Sequence, residues 1–173
     1  MIKIRKVASG DIKEVYDLVK TAFETAEVKS GDEQDYQETL RNGDKYIPSL
    51  DLVAEDGIEL VGQIILTKFE LMTADGVQMQ LLLGPLSVRL DYRCRGIGGQ
   101  LIDTACEEAE RLGYKAVFLA GNPDYYGRYG FEQSVNFGIK NINGYDDKYI
   151  LCRELTSGAL DGVTGTINMS DEA

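Results

Sequence analysis

The sequence predicts a mixed α/β (α+β) domain, a central sheet with helices on its faces. Three observations predict it. The period of the apolar residues changes along the chain, from strand to helix, then a run of strands, then helix and strands again. Asp56-Gly57 and Asp75-Gly76 lie between strand-like runs and mark tight turns. One glycine-rich turn, Gly96 to Gly99, joins a strand to an amphipathic helix. This order is not the strict alternation of a doubly wound fold.

Residues 2–7 alternate as a first strand. Ser9 or Asp11 can cap the helix that follows, whose apolar face is Ile12, Val15, Leu18, Val19, Ala22 and Phe23. A short helix is expected over 33–41, stopped at Gly43. Residues 50–55 and 60–71 read as a hairpin around Asp56-Gly57, and 77–88 as the next strand. Gly84-Pro85 falls inside that strand. Proline cannot donate to a ladder, so a bulge or an unpaired edge is expected there. A helix over 97–112 ends at Gly113, and 115–120 is a buried strand. A short helix or turn follows at 125–129, then closing strands at 131–139 and 148–155. The expected organisation is one domain over 1–155. Residues 156–173, rich in Gly, Ser and Thr, form a tail packed on that domain or extending from it.

Composition limits the function. A chain of 173 residues suits one domain, and 43% apolar with 27% charged residues reads as globular and soluble. No apolar run approaches the roughly 20 residues that cross a bilayer. The start, Met1-Ile-Lys-Ile-Arg-Lys6, has no secretory signal pattern. The expectation is a cytoplasmic protein with no membrane partner. Three widely spaced cysteines, Cys94, Cys106 and Cys152, read as free thiols. There is no histidine, which removes Ser-His and Cys-His catalysis and the commonest metal ligand, so no metal is expected. A net charge of −11 makes nucleic acid a poor partner and favours a cationic small substrate.

The strongest chemical signal is Leu86-Ser-Val-Arg-Leu-Asp-Tyr-Arg93-Cys94-Arg95-Gly96-Ile97-Gly98-Gly99. A helix start leaves backbone N–H groups unpaired and carries the positive end of the helix dipole. Glycines let that backbone approach a phosphate, and arginines can add charge-assisted bonds. A dinucleotide fingerprint is disfavoured: its third glycine position is Leu101, and the strand over 115–120 runs into Gly121-Asn122 rather than an acid. The Gly-Lys-Ser/Thr ending of a P-loop is absent. A purely structural turn is the remaining alternative.

Arg93-Cys-Arg-Gly96-Ile-Gly98 resembles the Arg/Gln-x-x-Gly-x-Gly/Ala signature of the GNAT N-acetyltransferases, whose loop binds the coenzyme A pyrophosphate. Gly84-Pro-Leu-Ser-Val88 resembles the family's preceding strand, Val53 to Gln63 its central hairpin, and Asn122 to Phe131 its later segment, with an aromatic four residues before Gly-Phe. These stretches, with Glu154-Leu-Thr-Ser-Gly, are similar to the bacterial YhbS-like branch. The resemblance covers about 2–155. It implies a mostly antiparallel sheet with helices on both faces and a splayed cofactor cleft, and acetyl-CoA as cosubstrate. Implied cofactor-binding residues are Leu86, Ser87, Val88, Arg93, Cys94, Arg95, Gly96, Ile97, Gly98, Gly99, Asn122 and Tyr129. Tyr126 is the implied general acid toward the thiolate.

Acetyl transfer to an amine also needs a donor for the carbonyl oxygen and a base for the amine. Backbone N–H near Ser87 and Val88 can serve the first. Glu70, Glu27 or water can serve the second, although each carboxylate also reads as a solvated surface charge. Tyr125, Tyr126 and Tyr129 also fit aromatic packing beneath a turn. The expected function is direct N-acetylation of a small or peptide amine, with homodimer assembly left open. A non-catalytic acyl-CoA-binding regulatory or sensor module is the alternative.

Overall fold

The structure is a computed structural model that describes residues 1–25 and 31–170. Among the described residues nine strands form one sheet: β1 (Ile2–Lys6), β2 (Asp51–Asp56), β3 (Glu59–Thr73), β4 (Gly76–Val88), β5 (Ala116–Ala120), β6 (Glu132–Gln133), β7 (Ile139–Asn141), β8 (Ile150–Glu154) and β9 (Gly165–Ile167). The helices are α1 (Ile12–Glu24), α2 (Glu33–Arg41), α3 (Ile97–Arg111) and the single turn α4 (Pro123–Tyr126). Strand order is β1-β2-β3-β4-β5-β8-β6, with β9 beside β3 and β7 beside β9. Pairing is antiparallel for β1·β2, β2·β3, β3·β9, β5·β8 and β6·β8, and parallel for β4·β5 and β7·β9. The sheet is therefore mostly antiparallel.

Two compact units divide the chain. The first comprises Met1–Thr67 and Gly84–Glu108, the second Lys68–Leu83 and Ala109–Ala173. In the first, helices cover both faces of the sheet because successive strand residues point to opposite sides. A Cβ on Gly62 of β3 would lie 3.0 Å from Leu101 and 3.3 Å from Ile97, both on α3. One residue on, Gln63 bonds to Gln37 of α2. The apolar face of α1 behaves as its spacing predicts, with Val15 and Val19 packed against Val53 and Leu60.

Within this unit Arg41, Tyr46 and Asp51 also make a buried polar cluster. Asp51 is fully buried and accepts from Arg41 Nε at 3.0 Å and the Tyr46 hydroxyl at 2.7 Å. Burial first, and that carboxylate second, push the Tyr46 phenol up to about 12.

The second unit has its own core, including Phe69, Leu71, Leu82, Phe118, Cys152 and Ile167. One sequence expectation changes here. Residues 131–139 are not one strand: β6 is followed by a 3₁₀ turn at Ser134–Phe137, and Gly138 is left-handed at φ 77° before β7. Ser134 Oγ donates to the Ile139 carbonyl at 2.9 Å and holds the turn closed. The glycine-rich tail carries β9, which pairs Leu71 with Ile167 and Met72 with Thr166, while Leu160 and Met169 are buried. The pairing of β4 with β5 covers Leu81 and Leu82 only, so Pro85 lies past that ladder, as an unpaired edge requires.

Candidate functional site

The end of β4 is held by a buried amide. Gln63 Nε2 donates to the Pro85 carbonyl at 2.9 Å and to Ser87 Oγ at 3.0 Å. Its Oε1 accepts from Gln37 Nε2 at 2.7 Å. Gln37, Gln63 and Ser87 are all buried, so each bond is made away from competing water and fixes the strand end firmly. Leu86 and Val88, on the other side of the pleat, are partly exposed.

Beyond Val88 the chain makes a 3₁₀ turn at Leu90–Tyr92. The Tyr92 hydroxyl donates to Asp56 Oδ2 at 2.8 Å, which fixes the ring. The guanidinium carbons of Arg89 and Arg95 each lie 4.8 Å from that ring's centroid. Cys94 at φ 62° and Gly96 at φ 78° are both left-handed, and Cys94 is exposed. This turn delivers the chain into α3, whose first bond runs from Gln100 N to the Gly96 carbonyl at 3.0 Å. The N–H groups of Ile97, Gly98 and Gly99 precede any intrahelical acceptor, so they are the orphan donors of a helix start.

Both arginines of the turn were expected to reach for phosphate. The structure turns one of them inward. Arg93 Nε donates to the Val88 carbonyl at 3.1 Å, Nη2 to the Ala22 carbonyl at 2.9 Å and Nη1 to Thr25 Oγ1 at 3.3 Å. It clasps the end of α1 to the end of β4. Arg95 is exposed on the Tyr92 ring. The first unit thus brings together Leu86, Ser87, Val88 and Arg93 to Gly99.

Asn122, Tyr126 and Tyr129 belong to the second unit. Gly121 follows β5, and its N–H donates to the Tyr149 carbonyl at 2.9 Å. Asn122 caps α4, its Oδ1 accepting from Asp124 N at 2.8 Å, with Pro123 as the first helical residue. A 3₁₀ turn at Gly127–Tyr129 and left-handed Gly130 finish the segment. Tyr126 packs edge-on to Phe131, centroids 5.6 Å apart, and to Tyr125 at 5.0 Å; Tyr125 meets Tyr129 at 5.4 Å. Burial pushes the Tyr126 phenol well above the usual tyrosine value, with Tyr125 adding a smaller rise. Burial likewise lifts Tyr125 to about 12. The Tyr129 carbonyl accepts from Arg153 Nη1 at 3.0 Å. Phe131 is buried.

Of the two carboxylates considered as base, Glu70 is exposed on β3, and Glu27 lies outside the described residues. Among the described residues no three His, Cys, Asp or Glu side chains gather as metal ligands do, and no helix is long and apolar enough to cross a membrane. Gln37, Gln63 and Gly121 were not singled out in the sequence. The available signal for Gln63 is one polar residue in the apolar run from Leu60 to Leu66.

A mostly antiparallel sheet with a left-handed turn feeding orphan amides at a helix start defines an α/β protein whose helix start has the donor set an anionic group needs. The sequence profile of the Acetyltransferase (GNAT) domain matches residues 3–134, and the chain belongs to that family. It is 32% identical to the uncharacterized N-acetyltransferase YjhQ of Escherichia coli K12 over 127 residues, 73% of this chain and 66% of YjhQ. It therefore spans just under two thirds of that relative's length. The uncharacterized N-acetyltransferase YhbS of the same strain is 31% identical over 121 residues, 69% of this chain and 71% of YhbS. The crystal structure of E. coli YhbS in complex with CoA superposes with a TM-score of 0.83 at 25% identity, covering 96% of this chain and 88% of the other. A GNAT family acetyltransferase from Brucella melitensis in complex with acetyl-CoA shares the fold, with a TM-score of 0.73 at 24% identity, covering 90% and 89%.

Proposed function

We propose that this chain is an acetyl-CoA-dependent N-acetyltransferase that moves an acetyl group directly to a primary amine of a small or peptide acceptor. The observation that carries the reading is the turn from Cys94 to Gly99. Its left-handed residues leave the first amides of α3 without intrahelical partners, beside the exposed Arg95. That donor set fits a pyrophosphate, which needs several N–H groups and a cation but no metal from this chain.

Bound acetyl-CoA supplies an activated acyl thioester. In this reading the amides of 97–99 and Arg95 hold the pyrophosphate, and Arg93 keeps the turn in shape. Leu86 and Val88 flank the pantetheine arm. A backbone N–H at Ser87 or Val88 meets the carbonyl oxygen where negative charge grows. As the amine nitrogen bonds to the acetyl carbon and the carbon–sulfur bond breaks, Tyr126 gives its proton to the sulfur. The amine's proton leaves to a carboxylate or water. Asn122 and Tyr129 complete the cofactor side. The negative surface supports a cationic acceptor. The absence of a membrane-spanning helix among the described residues and the buried thiols Cys106 and Cys152 support action in the cytoplasm.

Two measurements on one preparation test the reading. Acetyl-CoA at about a hundredfold excess over its dissociation constant should stabilise the fold by about 2.7 kcal/mol, seen as a higher melting temperature, and NAD should not. With a panel of primary amines, free thiol should be released. A melting response to NAD alone rejects the cofactor. A response to acetyl-CoA with no thiol release from any amine supports the sensor module instead.

A further inference from the structure

We propose that Gly121 is a positioning residue for Tyr126: its missing side chain is the space that the tyrosine ring occupies. The inference rests on Tyr126 being the general acid. A Cβ placed on Gly121 would lie 2.8 Å from Tyr126 Cε2, 3.2 Å from its Cδ2 and 3.0 Å from Leu119 Cδ1. Contacts under 3.0 Å do not persist, so one partner has to move. Gly121 is tied down, since its N–H donates to the Tyr149 carbonyl at 2.9 Å and it follows directly on the last residue of β5.

The ring is the part that yields, and its surroundings give it little room. Tyr126 N bonds the Asn122 carbonyl at 3.1 Å, and the Tyr126 carbonyl accepts from Phe131 N at 3.3 Å. Its main chain is thereby held on both sides. Phe131 and Tyr125 pack edge-on around the ring. With the backbone fixed, the adjustment falls on the side-chain torsions, and a torsional change moves the hydroxyl at the tip further than the ring atoms near Cα. Gly121 is not left-handed, so alanine is compatible with its backbone. The steric demand then falls first on the Tyr126 ring and second on the Leu119 Cδ1 methyl, the tip of a flexible side chain.

Displacing a reacting group by about 1 Å can cost about 10²-fold in rate. Gly121→Ala should therefore lower kcat about 10- to 100-fold while calorimetry gives a coenzyme A affinity within about twofold of the parent. The decisive experiment is a double-mutant cycle with Tyr126→Phe. If Gly121 acts through the hydroxyl, Gly121→Ala costs less than about twofold once the hydroxyl is gone. Equal loss in both backgrounds makes Gly121 merely structural and overturns the proposal. Full activity of Gly121→Ala beside an impaired Tyr126→Phe also overturns it, and leaves the acid in place. Full activity of Tyr126→Phe rejects the acid and the role of Gly121 together. Should the alanine variant fail to fold, Phe131→Leu opens space beside the ring. The same cycle run in that background then decides, with the same three outcomes.

Discussion

Gln63 illustrates how much one side chain can hold. Its amide bonds the Pro85 carbonyl, the Ser87 hydroxyl and the Gln37 amide nitrogen, all between buried side chains and backbone. Gln63→Leu would strand those groups at about 1–3 kcal/mol for each one left unpaired. With three groups affected, a total loss of about 3 kcal/mol or more is expected in urea unfolding, against a surface control such as Gln100→Leu. Tyr126 supports a second expectation, for pH. Burial raises its phenol, so the proton-bearing form is complete at neutral pH and persists beyond the usual tyrosine value near 10. The fall in kcat that belongs to Tyr126 should begin above pH 10, and Tyr126→Phe should lack that fall. A loss centred near pH 8 that vanishes in Tyr126→Phe would contradict the raised value. Tyr126 is pointed to in the sequence by the motif in which it stands. Gln37 and Gln63 make their contacts between segments more than twenty residues apart, which no local pattern records.

At the scale of elements, the turn before α3 stores strain at one residue. Cys94 is the one non-glycine residue with positive φ among those described. A side chain there costs about 1–2 kcal/mol. Cys94→Gly should raise stability by roughly 1 kcal/mol, less the added freedom of the unfolded glycine, readable as a higher melting temperature. Gly98→Asp should do the reverse for ligand, placing a carboxylate among the orphan amides and abolishing coenzyme A binding in calorimetry. Unchanged affinity in that variant would move the cradle elsewhere. The elements with strong periodicity, α1 and α3, and the hairpins turned at Asp-Gly pairs, were readable almost to the residue because local signals agree with the tertiary fold. The stretch 131–139 was not, because its apolar residues are interrupted by a side-chain bond from Ser134 and a left-handed Gly138.

For the molecule as a whole, the tail counts for more than its composition suggests. Glycine there reads as loop, yet a Cβ on Gly165 would run into the Met72 carbonyl oxygen, so the lack of any side chain is what lets β9 lie against β3. Removing residues 156–173 strips away a strand and the buried Leu160, Ile167 and Met169. At about 1.5–3 kcal/mol for each buried side chain, the loss is on the order of 5 kcal/mol or more, comparable to a whole domain's stability. The truncated chain should unfold at much lower urea concentration or fail to fold. An unchanged midpoint would mean that β9 contributes nothing.

The guanidinium of Arg93 joins stretches of chain about seventy positions apart, tying the carbonyl of Ala22 and the hydroxyl of Thr25 to the strand end that precedes the turn. A helix terminus normally frays first, so its last amides trade hydrogen for deuterium quickly. Through the Arg93 bonds, the fraying of α1 is expected to follow the motion of the turn before α3. Ligand that quiets the turn should slow deuterium uptake in the last turn of α1, and Arg93→Lys, which keeps the charge but not the three-pronged reach, should uncouple the two.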